Sequence, residues 1–548
     1  MIKIINLKRI IQISFSILIS LLIFFPGNAY LQEKPPDVYD LQPINDLPKE
    51  GHPKVESALY QLLKIYQNKG IEEAKEFASL KNIDMDDEFV RVVFEAKLEG
   101  TSKELIKITA DSLKLQIQGL GGRIETSYNH LIQTQVPVGY ILTFANFPSV
   151  RYLRLPYKPV LLETSEGVAK TGANQWHNLP SFHSDGAKVC ILDGGFEGYE
   201  ALLGSELPAS VNTNSFRTDG DIEYGPPHGT ACAEIVHDMA PNAQLILVNY
   251  GTDVEMQNAV TWIINEGVDV ISNSTGSYSW GPGDGTGMVC EAVKRAYNNG
   301  IIWVNAAGNQ AEDHWMGTFN DPDYDGWHNF SDNSEILGFY APANRNIKIE
   351  LKWNNWGWWN GYSYSGSNQD YNMYLYHWNG LTYVPTIFNS ENLQTGSQKP
   401  IEIIFVPKEI NLASGYWAVV IKKSYATKKV KFDLFITGSG PIQYNVPSES
   451  ITIPADSPYA VTVGAVHWSN DVLESYSSQG PTKDGRIKPD ICAPSVVSTV
   501  SIDGFDGTSA ACPHVAGAFA LMKGKTPLSL VQIKAYLEAF AIDLGPGG

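Results

Sequence analysis

Between about Gly186 and Gly308, short and nearly continuous apolar runs alternate with segments of helical period. Lys188 to Leu192, Gln244 to Tyr250, Val268 to Asn273 and Ile301 to Asn305 have the length of strands and no polar alternation, so both faces of their sheet must be covered. Thr230 to Val236, Met256 to Glu266 and Met288 to Asn299 fit the crossover helices that cover it. Strand, crossover and strand in series specify a parallel sheet and an α/β architecture. The pattern stops near Ala311 and returns near Ile451, where Tyr459 to Val463 reads as another buried strand. The material between is polar, rich in Gly, Asn and Trp, with strand-like runs at Ile347 to Leu351, Met373 to Tyr376, Ile401 to Phe405, Tyr416 to Ile421 and Val430 to Ile436. Residues 311–450 are therefore expected to form an inserted β-sandwich that divides the α/β domain into 186–310 and 451–548.

The N-terminus carries Lys3, Lys8 and Arg9 before an apolar stretch from Ile10 to Phe25, and small residues follow at Pro26-Gly27-Asn28-Ala29. Residues 1–29 read as a signal peptide and the mature chain as secreted; a retained anchor fits the same stretch less well. Residues 30–100 read as a linker and a helical region, with Leu59, Leu62, Leu63 and Tyr66 on one face between Val55 and Leu80. Within 101–160 the order β-α-β-β-α-β predicts a ferredoxin-like α+β unit: strand Leu105 to Ile108, a helix capped by Asp111, strands Arg123 to Thr126 and Leu131 to Val136, a helix over Gly139 to Asn146, and strand Val150 to Leu153.

With 40 Lys and Arg against 59 Asp and Glu, the net charge of -19 repels phosphate backbones, and no basic run offsets it, so no nucleic-acid partner is expected. The odd cysteine count, Cys190, Cys232, Cys290, Cys492 and Cys512, lacks the paired spacing of a zinc site. Buried thiols fit these positions best, and one disulfide also fits.

Three segments place reactive side chains at the ends of these elements. Asp193 follows the first strand and precedes Gly194-Gly195. His228 opens a helix in His228-Gly229-Thr230-Ala231, and Ser509 stands at a helix start in Gly507-Thr508-Ser509-Ala510-Ala511-Cys512-Pro513-His514-Val515-Ala516-Gly517, where free N–H groups favour negative charge. Pro513 is read as a first-turn residue, where a missing N–H costs nothing. His514 and His237 read as structural.

At these residues the chain resembles the subtilisin-like serine proteases, whose triad order is Asp, His, Ser. The resemblance implies a secreted serine endopeptidase acting through Asp193, His228 and Ser509 and an acyl-enzyme, on protein or peptide substrates, with no cofactor required for the chemistry. It implies that Asn309, in Ala306-Ala307-Gly308-Asn309, and the Ser509 backbone N–H form an oxyanion hole, and that Ser274-Thr275-Gly276 binds extended substrate. It also implies that the ferredoxin-like unit is a propeptide, both folding aid and inhibitor, removed by self-processing between Leu155 and Asp193. Family members usually have Ser or Thr after the aspartate, so orientation of Asp193 must come from backbone or other groups. The chain stops soon after the helix that follows Ser509, where members often continue, so its end also reads as a point of truncation.

Two alternatives are a catalytically inactive relative, suggested by Gly194, and a carbohydrate-binding protein using Trp353, Trp356, Trp358 and Trp359 as a stacking platform. Finally, Asp321-Pro322-Asp323-Tyr324-Asp325-Gly326, with the Trp327 carbonyl and Asp332, reproduces the spacing of an EF-hand-like loop, but Asp stands where such loops carry Glu and the flanks lack paired helices, so an ordinary acidic turn fits better than a structural calcium ion, which is the second reading.

Overall fold

The computed structural model describes residues 3–5, 51–81, 83–98, 102–157, 167–181, 186–332 and 334–545. The uninterrupted apolar runs form the centre of a nine-stranded sheet ordered Ile542–Asp543, Lys3–Ile4, Ile491–Ser495, Ala460–His467, Ile302–Ala306, Val270–Asn273, Lys188–Asp193, Gln244–Asn249 and Asn212–Ser215. From Ile491–Ser495 onwards every pairing is parallel. Alternate residues of one strand enter different cores, which explains the lack of polar alternation. Val189 and Ile191 pack with Ala231, Val236, Val515 and Phe519, whereas Cys190 and Leu192 pack with Met256, Val260, Val289 and Val293. Helices His228–Met239 and Thr508–Lys525 thus cover one face, and Asp253–Glu266 and Met288–Asn298 the other. All five cysteines are buried and free, so the disulfide alternative falls away.

Of the expected signal peptide, only residues 3–5 are described, with Ile4 paired to Cys492 and Ile542 at the sheet edge. The Ile10 to Phe25 stretch lies outside the described residues. Among the described residues no helix is long and apolar enough to cross a membrane.

Residues 311–450 contain two four-stranded sheets. One is ordered His314–Thr318, Lys431–Thr437, Ile347–Trp353, Ile401–Val406, and the other Leu337–Ala341, Gly415–Tyr425, Asp370–Trp378, Tyr383–Ser390. All pairings are antiparallel, and both sheets contribute to one core containing Trp315, Phe339, Leu351, Trp353, Leu375 and Trp417. The supposed aromatic platform is dismantled by this packing: Trp353 and Trp356 are buried, while Trp358 is 67 % exposed. The excursion leaves and rejoins the main domain at neighbouring points, Ala311 N–H donating to Tyr476 O at 3.0 Å and Ser450 N–H to Gln479 O at 2.9 Å.

The N-terminal unit differs from the sequence expectation at its first strand. Leu105 to Ile108 lies inside helix Lys103–Gly119, and the first long strand is Phe89–Ala96, ahead of the boundary expected at 101. The β-branched run misleads because only Ile106, Ala110, Leu113 and Ile117 are buried, a helical period, while Ile108 is 60 % exposed. The N-cap is Ser102, whose Oγ accepts from Leu105 N–H at 3.2 Å; Asp111 is an exposed helical residue paired with Lys114. The Val55 to Leu80 pattern resolves into helices Ser57–Lys69 and Ile71–Leu80, broken at Gly70 where φ is 102°. The sheet runs Met85–Asp86, Phe89–Ala96, Leu131–Pro137, Arg123–Tyr128, with Val150–Arg154 paired to the other edge of Phe89–Ala96.

This unit docks on helix Asp253–Glu266 through buried polar contacts. Arg154 bridges Glu95 (2.9 Å) and Asp253 (2.8 Å), and Gln133 reaches both Glu255 and Thr252. Burial alone would raise the Glu95 carboxyl, but Lys399, Arg154 and Arg151 outweigh it and hold it well below the ordinary range. The two-sheet excursion touches the same unit, with Arg151 donating to Tyr364 O (2.5 Å) and Ser57 N–H to Asn392 Oδ1 (2.7 Å).

Burial also strips water from His130 in this junction and, against the pull of Glu95, pushes its pKa down to about 4. Between pH 4 and the ordinary value near 6.5 the unfolded chain binds a proton that the folded one does not, so stability is lost as pH falls through that window. From pH 7 to pH 5 the loss is about 2 kcal/mol from this group. Ala96 N–H donates to His130 O, so its hydrogen-exchange protection reports local opening. We expect His130→Leu to flatten the pH dependence of that opening by this amount; an unchanged slope would exclude His130 as its source.

Candidate active site

Asp193 ends the Lys188–Asp193 strand, His228 opens helix His228–Met239, and Ser509 is the second residue of helix Thr508–Lys525. The structure brings them to the carboxyl edge of the parallel sheet, where open α/β sheets place ligands. Their approach needs glycines. A Cβ on Gly229 would lie 2.5 Å from Gly195 O, and one on Gly195 would lie 1.5 Å from Tyr224 O.

His228 Nδ1 lies 3.0 Å and 2.9 Å from the two Asp193 oxygens. A carboxylate only accepts, so the proton sits on Nδ1 and Nε2 is left as a bare acceptor. That Nε2 is buried without a hydrogen-bond partner. The orientation expected from a hydroxyl after the aspartate is supplied by backbone instead: Gly194 N–H donates to Asp193 Oδ1 at 2.7 Å. Asp193, His228 and Ser509 are all fully or almost fully buried, and the Phe505 ring lies 5.8 Å from the imidazole.

Ser509 Oγ donates to Ser274 O at 3.1 Å, and Ser274 Oγ donates in return to Ser509 O at 2.8 Å. This second bond has a local cause. Pro513 stands beyond the first turn, not within it as expected, and its missing N–H leaves the carbonyl four residues earlier, that of Ser509, without a helical donor. Ser274 and the Cys232 thiol, 3.7 Å away, take that place. Burial, and then Asp193, pushes the Cys232 thiol well above its ordinary pKa, so Cys232 acts as a neutral donor.

Asn309 follows the Ile302–Ala306 strand, and its Oδ1 accepts from both the N–H and Oγ1 of Thr508 at 2.9 Å. A backbone N–H needs an acceptor, which fixes the amide oxygen there and turns Nδ2 away from Thr508. Thr508 Oγ1 also accepts from Gly308 N–H at 3.1 Å. Thr508 was not singled out in the sequence, although it lies within the motif.

The three residues read as a substrate edge have different surroundings. Ser274 touches Ser509, while Thr275 turns inward to Tyr250 OH (2.5 Å) and Asn273 Oδ1 (2.9 Å). Gly276 admits the chain beside it, since a Cβ there would lie 2.6 Å from Ile453 O. His514 donates from Nδ1 to Ala510 O at 2.7 Å, and burial pushes its pKa down to about 4, in keeping with a structural role.

The subtilase family model matches residues 184–347 and 412–547, more than half of the chain. Bacillopeptidase F of Bacillus subtilis is 42 % identical over 119 residues, which are 20 % of this chain and 8 % of that protein. Subtilisin BL of Lederbergia lenta is 37 % identical over 113 residues, 20 % of this chain and 40 % of the relative. Minor extracellular protease Vpr of Bacillus subtilis is 24 % identical over 441 residues, 68 % of this chain and 50 % of the relative. The chain thus spans half or less of these relatives' lengths. Among solved structures, the Clostridium perfringens CspB protease aligns with a TM-score of 0.42 and 17 % identity over 65 % of this chain and 86 % of that one. The family match over most of the parallel-sheet domain establishes that the chain belongs to the subtilase family.

Proposed function

We propose that this chain is the precursor of a secreted serine endopeptidase. The observation that carries the reading is the imidazole held on Asp193 through Nδ1 with a bare, buried Nε2, at the same carboxyl edge of the sheet as Ser509. In this reading Ser509 Oγ swings from Ser274 O to Nε2, gives up its proton and attacks the scissile carbonyl. His228 then passes the proton to the leaving amine, and water, deprotonated by His228, releases the acyl group. Asn309 Nδ2 and the Ser509 N–H receive the developing oxyanion. Residues 274–276 receive extended substrate, a role supported best for Ser274 by its contact with the nucleophile.

The N-terminal sheet unit is read as a ferredoxin-like propeptide that supports folding and inhibits, and the two-sheet excursion as an inserted β-sandwich. Supporting this are the unit's strand order and its docking on helix Asp253–Glu266. Extracellular relatives such as Vpr support secretion. A serine-directed fluorophosphonate should label the processed protein at Ser509; absence of label would favour an inactive relative.

Asn309→Ala should lower kcat by about 10²–10³-fold with KM little changed, because its Nδ2 acts only when negative charge forms on the oxygen. Steady-state kinetics on a peptide substrate check this. A rise in KM at unchanged kcat would remove Asn309 from the oxyanion site.

A further inference from the structure

The insertion grips the parallel-sheet domain at residues 277–279, which directly follow the segment read as the substrate edge. Glu350, on strand Ile347–Trp353 of the insertion, is buried, and its Oε1 accepts from Ser277 Oγ and from Ser279 N–H, both at 3.1 Å. Between these two anchors lies Tyr278. Its ring stacks on Phe435 of the insertion, with centroids 3.9 Å apart and planes at 14°. His314 stacks on the same Phe435 at 4.4 Å, and two rings so near one centroid must take opposite faces. Tyr278 is thus braced by main-chain neighbours held on Glu350 and by a pair of rings that belong to the insertion.

The consequence lies at the other end of the side chain. Tyr278 OH donates to Gln310 Oε1, and burial pushes its pKa well above the ordinary value, so the hydroxyl keeps its proton. The same Gln310 oxygen accepts the backbone N–H of Asn309 at 3.1 Å. Two donors meeting one atom require it to be the amide oxygen. The hydroxyl also abuts the preceding residue, since a Cβ on Gly308 would lie 2.6 Å from it. Asn309 is therefore held at two ends, its N–H by Gln310 and its Oδ1 by Thr508, and the direction of Nδ2 follows from both.

We propose that Tyr278 is a positioning residue for the peptidase reaction: braced by Glu350 and Phe435 of the insertion, it sets Asn309, through Gln310, to receive the oxyanion. This rests on the reading of Asn309 as an oxyanion donor. A displacement of about 1 Å in such a group can cost about 10²-fold in rate, so a brace at its backbone has a kinetic effect. The insertion then takes part in catalysis without supplying a group that touches substrate.

The test uses processed protein made from the full chain. Tyr278→Phe keeps the ring and its stack and removes the hydroxyl; it should lower kcat about tenfold or more with KM within about twofold of the parent. On an Asn309→Ala background the same change should cost less than about twofold, because the group it positions is gone. Phe435→Leu should reproduce both results from the side of the insertion. A kcat of Tyr278→Phe within about twofold of the parent, a loss borne by KM, a loss undiminished on the Asn309→Ala background, or full activity in Phe435→Leu would overturn the proposal. Hydrogen exchange of the Asn309 amide, followed in the full chain carrying Ser509→Ala, needs no activity. Tyr278→Phe should quicken it at least about tenfold, since the Gln310 side chain is released, and unchanged exchange would overturn the positioning role. Quickened exchange together with a parent that cleaves no peptide would instead overturn the peptidase reading, with the link from Tyr278 to Asn309 intact.

Discussion

Ser509→Ala is expected to lower kcat by about 10⁴-fold or more and to leave the chain unprocessed. The substitution removes the hydroxyl that Ser274 O now holds, and leaves the packing of the helix unaltered, because the Ser509 carbonyl keeps its bonds to Ser274 and Cys232. Fold and thermal midpoint should therefore persist while peptidase activity and fluorophosphonate labelling vanish together. A processed, active Ser509→Ala protein would place the nucleophile elsewhere.

Asp193→Asn should cost about 10⁴-fold in kcat without unfolding the protein. The geometry says why. Gly194 N–H needs an acceptor at the Oδ1 position, so the new amide must keep its oxygen there and present its NH₂ where Oδ2 lay, 2.9 Å from His228 Nδ1. Two donors cannot face one another, so the imidazole proton moves to Nε2, and the base loses the lone pair it needs for Ser509. Kinetics combined with nitrogen chemical shifts of His228 check both halves of the argument. Activity within tenfold of the parent, or a proton still on Nδ1, would contradict it.

The centre of the parallel sheet was legible because its strands are apolar on both sides, a pattern that survives the interruption of the domain, whereas the polar edge strand Asn212–Ser215 carries no such signal. The placement of the candidate site was legible as well: Asp193, His228, Ser509 and Asn309 each follow or open an element visible in the periodicity. What escaped depends on contacts distant in sequence. Gly194 looked like a missing hydroxyl and proves to be the amide donor that the aspartate uses. Pro513 looked like a first-turn residue, whereas its effect is to free a carbonyl for Ser274, over two hundred positions away. The strand expected at Leu105 to Ile108 failed because β-branched residues were weighed over spacing, while Phe89–Ala96 was absorbed into a helical region.

The insertion also bears on the order in which the chain can close. The central strands Ile302–Ala306 and Ala460–His467 are immediate neighbours in the parallel sheet, yet roughly 150 residues separate them in the sequence. The entropy lost in joining such distant strands grows only as the logarithm of the intervening length, about 0.6 kcal/mol per doubling, but finding the contact in a long chain is slow. A folded insertion changes that problem, because His314 and Phe435 are antiparallel partners within it. Once that pair has formed, most of the intervening chain is folded away, and the two strands are tethered by short segments on either side. The excursion thus acts as a staple for the sheet that it interrupts, provided that its own two sheets form first.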